Sequence, residues 1–149
     1  MKKITTLTVL LLCVLTFVVG CGKKYIKTEG VTGTVTVDGE PVEGCNVYFI
    51  PADANGANGY ARTDASGKYQ LQTQQGQALA GTTPGKYKVR FDYQVSVDTG
   101  KTMEENGETI PVLDSKSAIA KKYNNENTSG YEVEVVPGAN TFDFELTSK

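Results

Sequence analysis

The chain has 149 residues, enough for one ordinary domain, with 15 basic and 17 acidic side chains and a formal net charge of −2. It contains no histidine and no tryptophan, which excludes a Ser-His-Asp triad, a Cys-His pair and a histidine-ligated zinc site. No run of five or more basic residues is present, so nucleic acid is not an expected partner.

The first twenty residues have the pattern of a secretory signal peptide. Lys2 and Lys3 form a short positive region, and a mainly apolar stretch from Ile4 to Val19 follows. The stretch ends in "VVGC" at 18 to 21, which resembles the bacterial lipobox, whose cysteine accepts a diacylglyceryl group before cleavage. We therefore expect a signal peptide over residues 1 to 20 and lipid attachment at Cys21. The alternative is an uncleaved anchor, because the stretch is as long as the shortest membrane-spanning helices.

Residues 21 to 30 are predicted to be a short polar tether behind the lipid. At roughly 3.3 Å per extended residue the tether reaches at most about 30 Å, so the domain should stay close to the membrane. Gly22, rather than an aspartate, follows Cys21, which resembles lipoproteins sent to the outer membrane. We therefore expect an exported protein, lipid-anchored to the cell envelope at the outer membrane.

The domain from 31 to 149 begins with two strands of period two. "VTGTVTV" and "CNVYFIP" each place their apolar residues on one face, and "DGEPVEG" forms the turn between them. A third apolar alternation, in "ARTDASGKYQLQT", indicates a hairpin with its turn in "DASG". The residues expected to face the core are Val31, Val35, Val37, Cys45, Val47, Phe49, Tyr69 and Leu71.

The clearest alternation in the chain is "KYKVRFDYQVSV" at 86 to 97. It predicts one half-buried strand of about twelve residues, with Lys86, Lys88 and Arg90 exposed. The residues expected inside are Tyr87, Val89, Phe91, Tyr93, Val95 and Val97. A final hairpin is predicted from "GYEVEVVPGANTFDFELT", with its turn at Pro137 and Gly138. The residues of this hairpin that are expected to face the core are Tyr131, Val133, Val135, Phe142, Phe144 and Leu146.

The segment from 98 to 118 is the longest without a periodic pattern, and we predict that it is a loop. Loops of this length in compact domains are often functional. Its apolar residues could dock onto the sandwich or present a patch to a protein partner. The candidate recognition residues are Met103, Glu104, Glu105, Glu108, Ile110 and Val112. A short helix is predicted next, in "DSKSAIAKKY" at 114 to 123.

About seven short strands joined by Gly, Asp, Asn and Pro turns predict an all-β fold, a Greek-key β-sandwich with at most one short helix; a small closed barrel is the alternative. The ordered stretches "VTGTVTVDGEPVEGCNVYFIP", "ARTDASGKYQL", "TPGKYKVRF" and "AKKYNNENTSGYEVEVVPGANTFDFEL" resemble the carboxypeptidase regulatory-like domains. The resemblance spans about 31 to 147 and implies a transthyretin-like sandwich of seven strands. It also implies structural roles for Gly39, Pro41, Asp64, Gly67, Tyr69, Pro84, Gly85, Tyr123 and Gly138.

The same resemblance bears on function. Related transthyretin-like hydrolases use histidines and a Tyr-Arg-Gly-Ser motif, and this sequence has neither. We therefore expect no enzymatic activity, no catalytic residues and no cofactor. No metal site is expected either, since the acidic residues of 98 to 118 fit no EF-hand spacing. Cys45 is predicted to be buried and inert.

The expected function is that of a membrane-anchored binding or structural module with an unidentified protein partner. The alternative is a carbohydrate-binding module at the cell surface. Tryptophan is missing, but exposed Tyr25, Tyr48 or Tyr60 could supply an aromatic platform in its place.

Overall fold

The structure, a computed structural model, describes residues 27–73 and 79–149, and these form an all-β sandwich of two sheets. The predicted fold class is thereby confirmed. The predictions about Cys21, the signal peptide and Tyr25 concern residues outside the described ranges.

One sheet is built around its central strand β1 (Val31–Val37). On one side β1 pairs antiparallel with β2 (Glu40–Pro41) and β5 (Lys68–Gln70). On the other side it pairs parallel with β12 (Asn140–Thr141) and β13 (Phe144–Leu146). The first and last strands of the domain are therefore direct neighbours.

The second sheet packs against the first and has all its neighbouring strands antiparallel. Its order is β11 (Tyr131–Val135), β8 (Gly85–Asp92), β3 (Asn46–Pro51), β4 (Gly59–Arg62), β6 (Gln72–Thr73) and β7 (Leu79–Ala80).

Two further strands, β9 (Gln94–Glu105) and β10 (Glu108–Ser117), pair only with each other among the described strands. The described helical structure is one 3₁₀ turn at Lys121–Asn124, which carries the buried Tyr123.

The core lies between the two sheets and consists mostly of residues that the alternation predicted, together with Ala61, Ile119 and Tyr123. Phe49 packs against the rings of Tyr69, Tyr87, Phe142 and Phe144, with centroids 5.9 to 6.5 Å away. The predicted core residues that are buried are Val31, Val35, Cys45, Val47, Phe49, Tyr69, Leu71, Tyr87, Val89, Phe91, Val135, Phe144 and Leu146. Each such side chain contributes roughly 1.5–3 kcal/mol by leaving water.

Gly39 and Asp64 both lie in turns, where structural roles were expected for them. Asp38 and Gly39 both have positive φ, 52° and 90°, as a two-residue turn between β1 and β2 requires. Asp64 holds the next turn, because its Oδ1 accepts hydrogen bonds from the N–H groups of Ser66 and Lys68 at 2.8 and 3.0 Å. The Ser66 hydroxyl, also bound to Oδ1, is the main cause that lowers the pKa of Asp64.

Five predictions about elements are wrong, including the loop at 98–118 described below. The hairpin predicted in "ARTDASGKYQLQT" does not form around its turn, because β4 pairs with β3 and β6 in the second sheet whereas β5 pairs with β1 in the first.

The strand predicted over 86 to 97 is interrupted at Tyr93, so β8 stays in the sandwich and β9 leaves it. Val95 is consequently only half-buried and Val97 is 37% exposed, since no second sheet covers them. On the other side of the strand, Lys86 is exposed as predicted, whereas Lys88 and Arg90 are half-buried.

The predicted final hairpin is also absent from the described ladders. Val135 pairs with Gly85 in one sheet, whereas Asn140 pairs with Val31 in the other, so the turn at Pro137 and Gly138 carries the chain between sheets. The predicted helix over 114 to 123 shrinks to the 3₁₀ turn, because residues 114–117 pair with 94–97 as part of β10.

Candidate functional site

The sandwich has two poles, and the chain enters at one of them. Glu29 forms a β-bridge with Thr82, and its Oε2 accepts a hydrogen bond from the N–H of Gly138 at 2.9 Å. Its Oε1 lies 2.8 Å from Nζ of Lys27, and this ion pair is the main cause that lowers the pKa of Glu29. We call this end, defined by Glu29, Thr82 and Gly138, the entry pole.

The hairpin of β9 and β10 leaves the sandwich at the opposite end. β8 starts at Gly85, three residues after Thr82, and runs away from the entry pole toward Asp92. The return strand ends near the far end of β1, where the N–H of Ala120 donates to the carbonyl of Thr147 at 2.8 Å. We call this end the far pole and residues 94–117 the arm.

The arm was predicted to be a loop, and that prediction is wrong. Its strands contact each other extensively and barely touch the other described elements. The missed signal is the dipeptide Asn106–Gly107, where both φ angles are positive, 55° and 85°. Asn-Gly is the strongest short-range signal for a two-residue hairpin turn. The strands beside it are too polar on one side to show a clear alternation.

Most apolar side chains of the arm lie on one face. Ile110 pairs with Met103, and Val97 pairs with Asp114, so these residues share a face with Val112, two positions after Ile110. Met103 is 50% exposed. None of the four apolar side chains joins the hydrophobic core of the described residues. Of the two arrangements considered, the structure shows these side chains outside the core rather than docked onto the sandwich, with Ile110 and Val112 half-buried.

The candidate glutamates cluster at the tip of the arm. Glu105 and Glu108 flank the turn as directly paired residues, and Glu104 lies on the other face. All three are exposed, and in the part of the chain that the structure describes none forms an ion pair. Within residues 27–73 and 79–149 no group of three Asp, Glu, Cys or His side chains could hold a metal ion.

Cys45 is fully buried in β-sandwich packing, as predicted. Burial raises the pKa of its thiol from 9.0 to about 12, with a further contribution from the nearby Asp92. The thiolate is the reactive form, so this residue should be unreactive in the folded protein.

Alkylation should show this directly. We expect iodoacetamide at pH 8 to leave Cys45 unmodified in the native protein and to modify it after unfolding in guanidinium, as measured by peptide mass spectrometry. Modification of Cys45 at equal rates in both states would contradict its burial.

The two tyrosines considered for sugar binding lie side by side on the outer face of the second sheet. Tyr48 and Tyr60 are cross-strand partners with ring centroids 5.4 Å apart. Both tyrosines are half-buried. The guanidinium of Arg90 lies 3.9 Å from the centre of the Tyr48 ring. The Tyr60 hydroxyl donates a hydrogen bond to Asn46 Oδ1 at 3.0 Å. They form a pair rather than a row, and one ring face is already occupied.

Comparison with known proteins assigns no family. None of the protein family models matches this chain, and no curated protein matches it. Among solved structures, a 9R-lipoxygenase from Cyanothece PCC8801 is similar at a TM-score of 0.38 and 14% sequence identity. The similarity covers 80% of this chain and only 16% of the lipoxygenase. No described helix is long and apolar enough to cross a membrane.

Proposed function

We propose that this protein is a lipid-anchored, non-enzymatic binding module of the cell envelope, held at the outer membrane through Cys21, and that it presents the arm to a protein partner. The lipobox-like "VVGC" after a signal-length apolar stretch supports the anchor. The ordered turn and strand motifs support a carboxypeptidase regulatory-like, transthyretin-like domain. The observation that carries the binding role is the apolar face of the arm, on which Val97 and Met103 are exposed and Ile110 and Val112 are half-buried.

The positions of tether and arm support display toward a partner. The chain enters at the entry pole and the arm leaves at the far pole. β9 has 12 residues, so at about 3.4 Å per residue the arm extends roughly 40 Å from the sandwich. A lipid at Cys21 would then hold the sandwich near the bilayer and leave the arm free to reach another molecule.

The first experiment tests the anchor. We expect the mature protein to begin at Cys21 and to carry acyl chains, because several buried chains at about 0.8 kcal/mol per methylene make membrane attachment firm. Intact mass spectrometry of detergent-extracted protein measures this, and Cys21→Ser is the control that should leave the protein unprocessed. An unacylated mass or a retained Met1 in the native protein would reject lipidation.

The second experiment tests the arm. Replacing residues 101–112 with a Gly/Ser linker of equal length should abolish partner capture from native membranes. The same variant should keep the melting temperature, because the arm makes almost no contact with the sandwich.

A finer pair of variants separates the apolar face of the arm from the sandwich. Met103→Ser with Ile110→Ser changes the apolar face and should weaken capture, whereas Val136→Ser changes an exposed apolar side chain of the sandwich and should not. Unchanged capture in the linker variant would remove the arm from the proposal.

A carbohydrate-binding role is the second candidate, favoured by the adjacent rings of Tyr48 and Tyr60. Aromatic rings offer an apolar surface to sugars. The guanidinium of Arg90, which lies over the Tyr48 ring, could donate hydrogen bonds to sugar hydroxyl groups. If the arm proves dispensable, this face is the next surface to test.

A further inference from the structure

The exposed face of the arm, rather than its edges, is the surface available for docking. Outer edges of a hairpin normally offer unpaired backbone groups to another strand. Here Pro111 in β10 has no N–H, and the pairing shifts between Pro111 and Leu113, beside Gly100 with φ 71°. A proline and a bulge are devices that discourage strand addition. Both of the arm's edges are therefore poorly suited to β-augmentation.

The apolar face alone is too small for a flat interface. The arm has nine residue pairs at about 3.4 Å each and two strands roughly 4.8 Å apart, so one face covers on the order of 300 Å². A stable protein interface buries about 800 Å² on each partner. The arm can approach that area only if a partner contacts it on both faces, as a groove does.

The charge of the arm indicates what the rim of that groove carries. Residues 94–117 contain five acidic residues and two lysines, a net charge of −3. In the described chain the tip glutamates have no cationic partner. A second arm would bring three more negative charges against them, so a second copy of this chain is disfavoured, as is an anionic lipid surface.

We propose that the arm inserts into an apolar groove of a protein partner whose rim is lined with lysine or arginine. Val97, Met103, Ile110 and Val112 contact the floor of the groove, and Glu104, Glu105 and Glu108 pair with the rim. This inference rests on the proposed function and adds to it the chemistry of the partner.

The experiment places a photoreactive benzophenone amino acid at Ile110 in the full-length protein within its native membranes. After irradiation, the adduct is digested and its partner peptide is sequenced by mass spectrometry. We expect a heterologous peptide that contains Lys or Arg near apolar residues. We also expect the adduct yield to fall about tenfold as salt rises from about 0.05 to about 0.5 M, because the rim contacts are electrostatic.

Charge reversal provides the matched comparison. Glu104→Lys, Glu105→Lys and Glu108→Lys together should lower the adduct yield about tenfold or more, since each rim pair becomes repulsive. The control reverses Glu40, Glu43 and Glu145, which are exposed on the sandwich and give the same change in net charge. This control should leave the yield unchanged. Melting curves of both variants confirm that they fold.

The outcomes separate the two proposals. An adduct between two copies of this chain, no adduct at Ile110, or a yield insensitive to charge reversal would overturn the cationic groove. If the linker variant of residues 101–112 still loses capture in that case, the arm remains the recognition surface and only its partner chemistry is wrong. If the linker variant keeps capture, both proposals fall.

Discussion

Phe91→Ala is expected to lower the free energy of unfolding by about 3–5 kcal/mol, the usual cost of removing a buried aromatic ring. Phe91 is fully buried in β8. Its ring lies 5.1 Å from that of Phe144 and 5.6 Å from that of Tyr131, both in edge-to-face geometry. The truncation thus opens a cavity and removes contacts that join the two sheets. Because domains are stable by only about 5–15 kcal/mol, much of the protein could unfold.

Lys88→Ala is the matched control on the same strand. The Lys88 side chain points out of the sandwich and donates one exposed hydrogen bond to Asn127 Oδ1 at 2.9 Å. Its loss should change stability by no more than about 0.5 kcal/mol. Chemical denaturation of both variants, read by tyrosine fluorescence, measures the difference. Matching midpoints would mean that the register of β8 is wrong.

Gly33→Ala is expected to destabilise the fold about as much as Phe91→Ala does. The reason is the opposite one, because this change adds an atom where there is no space instead of opening a cavity. A Cβ at this position in β1 would lie 1.7 Å from the carbonyl oxygen of Phe142 and 2.9 Å from the ring of Tyr69. That oxygen also accepts a hydrogen bond from the Tyr69 hydroxyl at 2.8 Å. Overpacking costs about 1–3 kcal/mol or more, and disrupting the hydrogen bond adds roughly 1 kcal/mol. We therefore expect a loss of about 3 kcal/mol or above.

Gly30→Ala provides the comparison three residues earlier. A Cβ there would meet nothing within 4 Å, so the stability should stay within about 0.5 kcal/mol of the native value. Thermal melts of the two variants test the close approach between β1 and the final strands. Equal melting temperatures would show that the chain near Phe142 does not pass over Gly33.

The sequence predicted the core better than the connections. Alternation identified the buried sides of β1, β3 and β8, since period two follows from the pleat whatever a strand pairs with. The pairing of strands could not be predicted in this way, because nothing in the sequence around Asn140 indicates that it lies beside Val31, more than a hundred residues away. The same limit explains the final turn, which was predicted as a hairpin and instead passes between sheets.

The sequence indicated which segment holds the candidate site, but it predicted a loop where the structure has a β-hairpin. Met103, Ile110 and Val112 do belong to one face of the arm outside the core, which the sequence indicated through their unusual apolar character. Their arrangement depends on cross-strand register, which the turn at Asn106 sets. Tyr93 shows the remaining difficulty. The alternation of apolar residues continues through Tyr93, but burial stops there because the opposite sheet ends. The sequence pattern does not indicate where the opposite sheet ends.

The position of β1 has a mechanical consequence. The chain that enters at Glu29 leads directly into this central strand, which has hydrogen-bonded neighbours along both sides. A pulling force between the entry pole and the arm acts along the strands, because the arm leaves from the far pole. Such a load shears many hydrogen bonds at once, whereas a load across the sheet would peel them apart singly. Forced unfolding depends on the rate of barrier crossing, so the sandwich is built to resist tension along this axis.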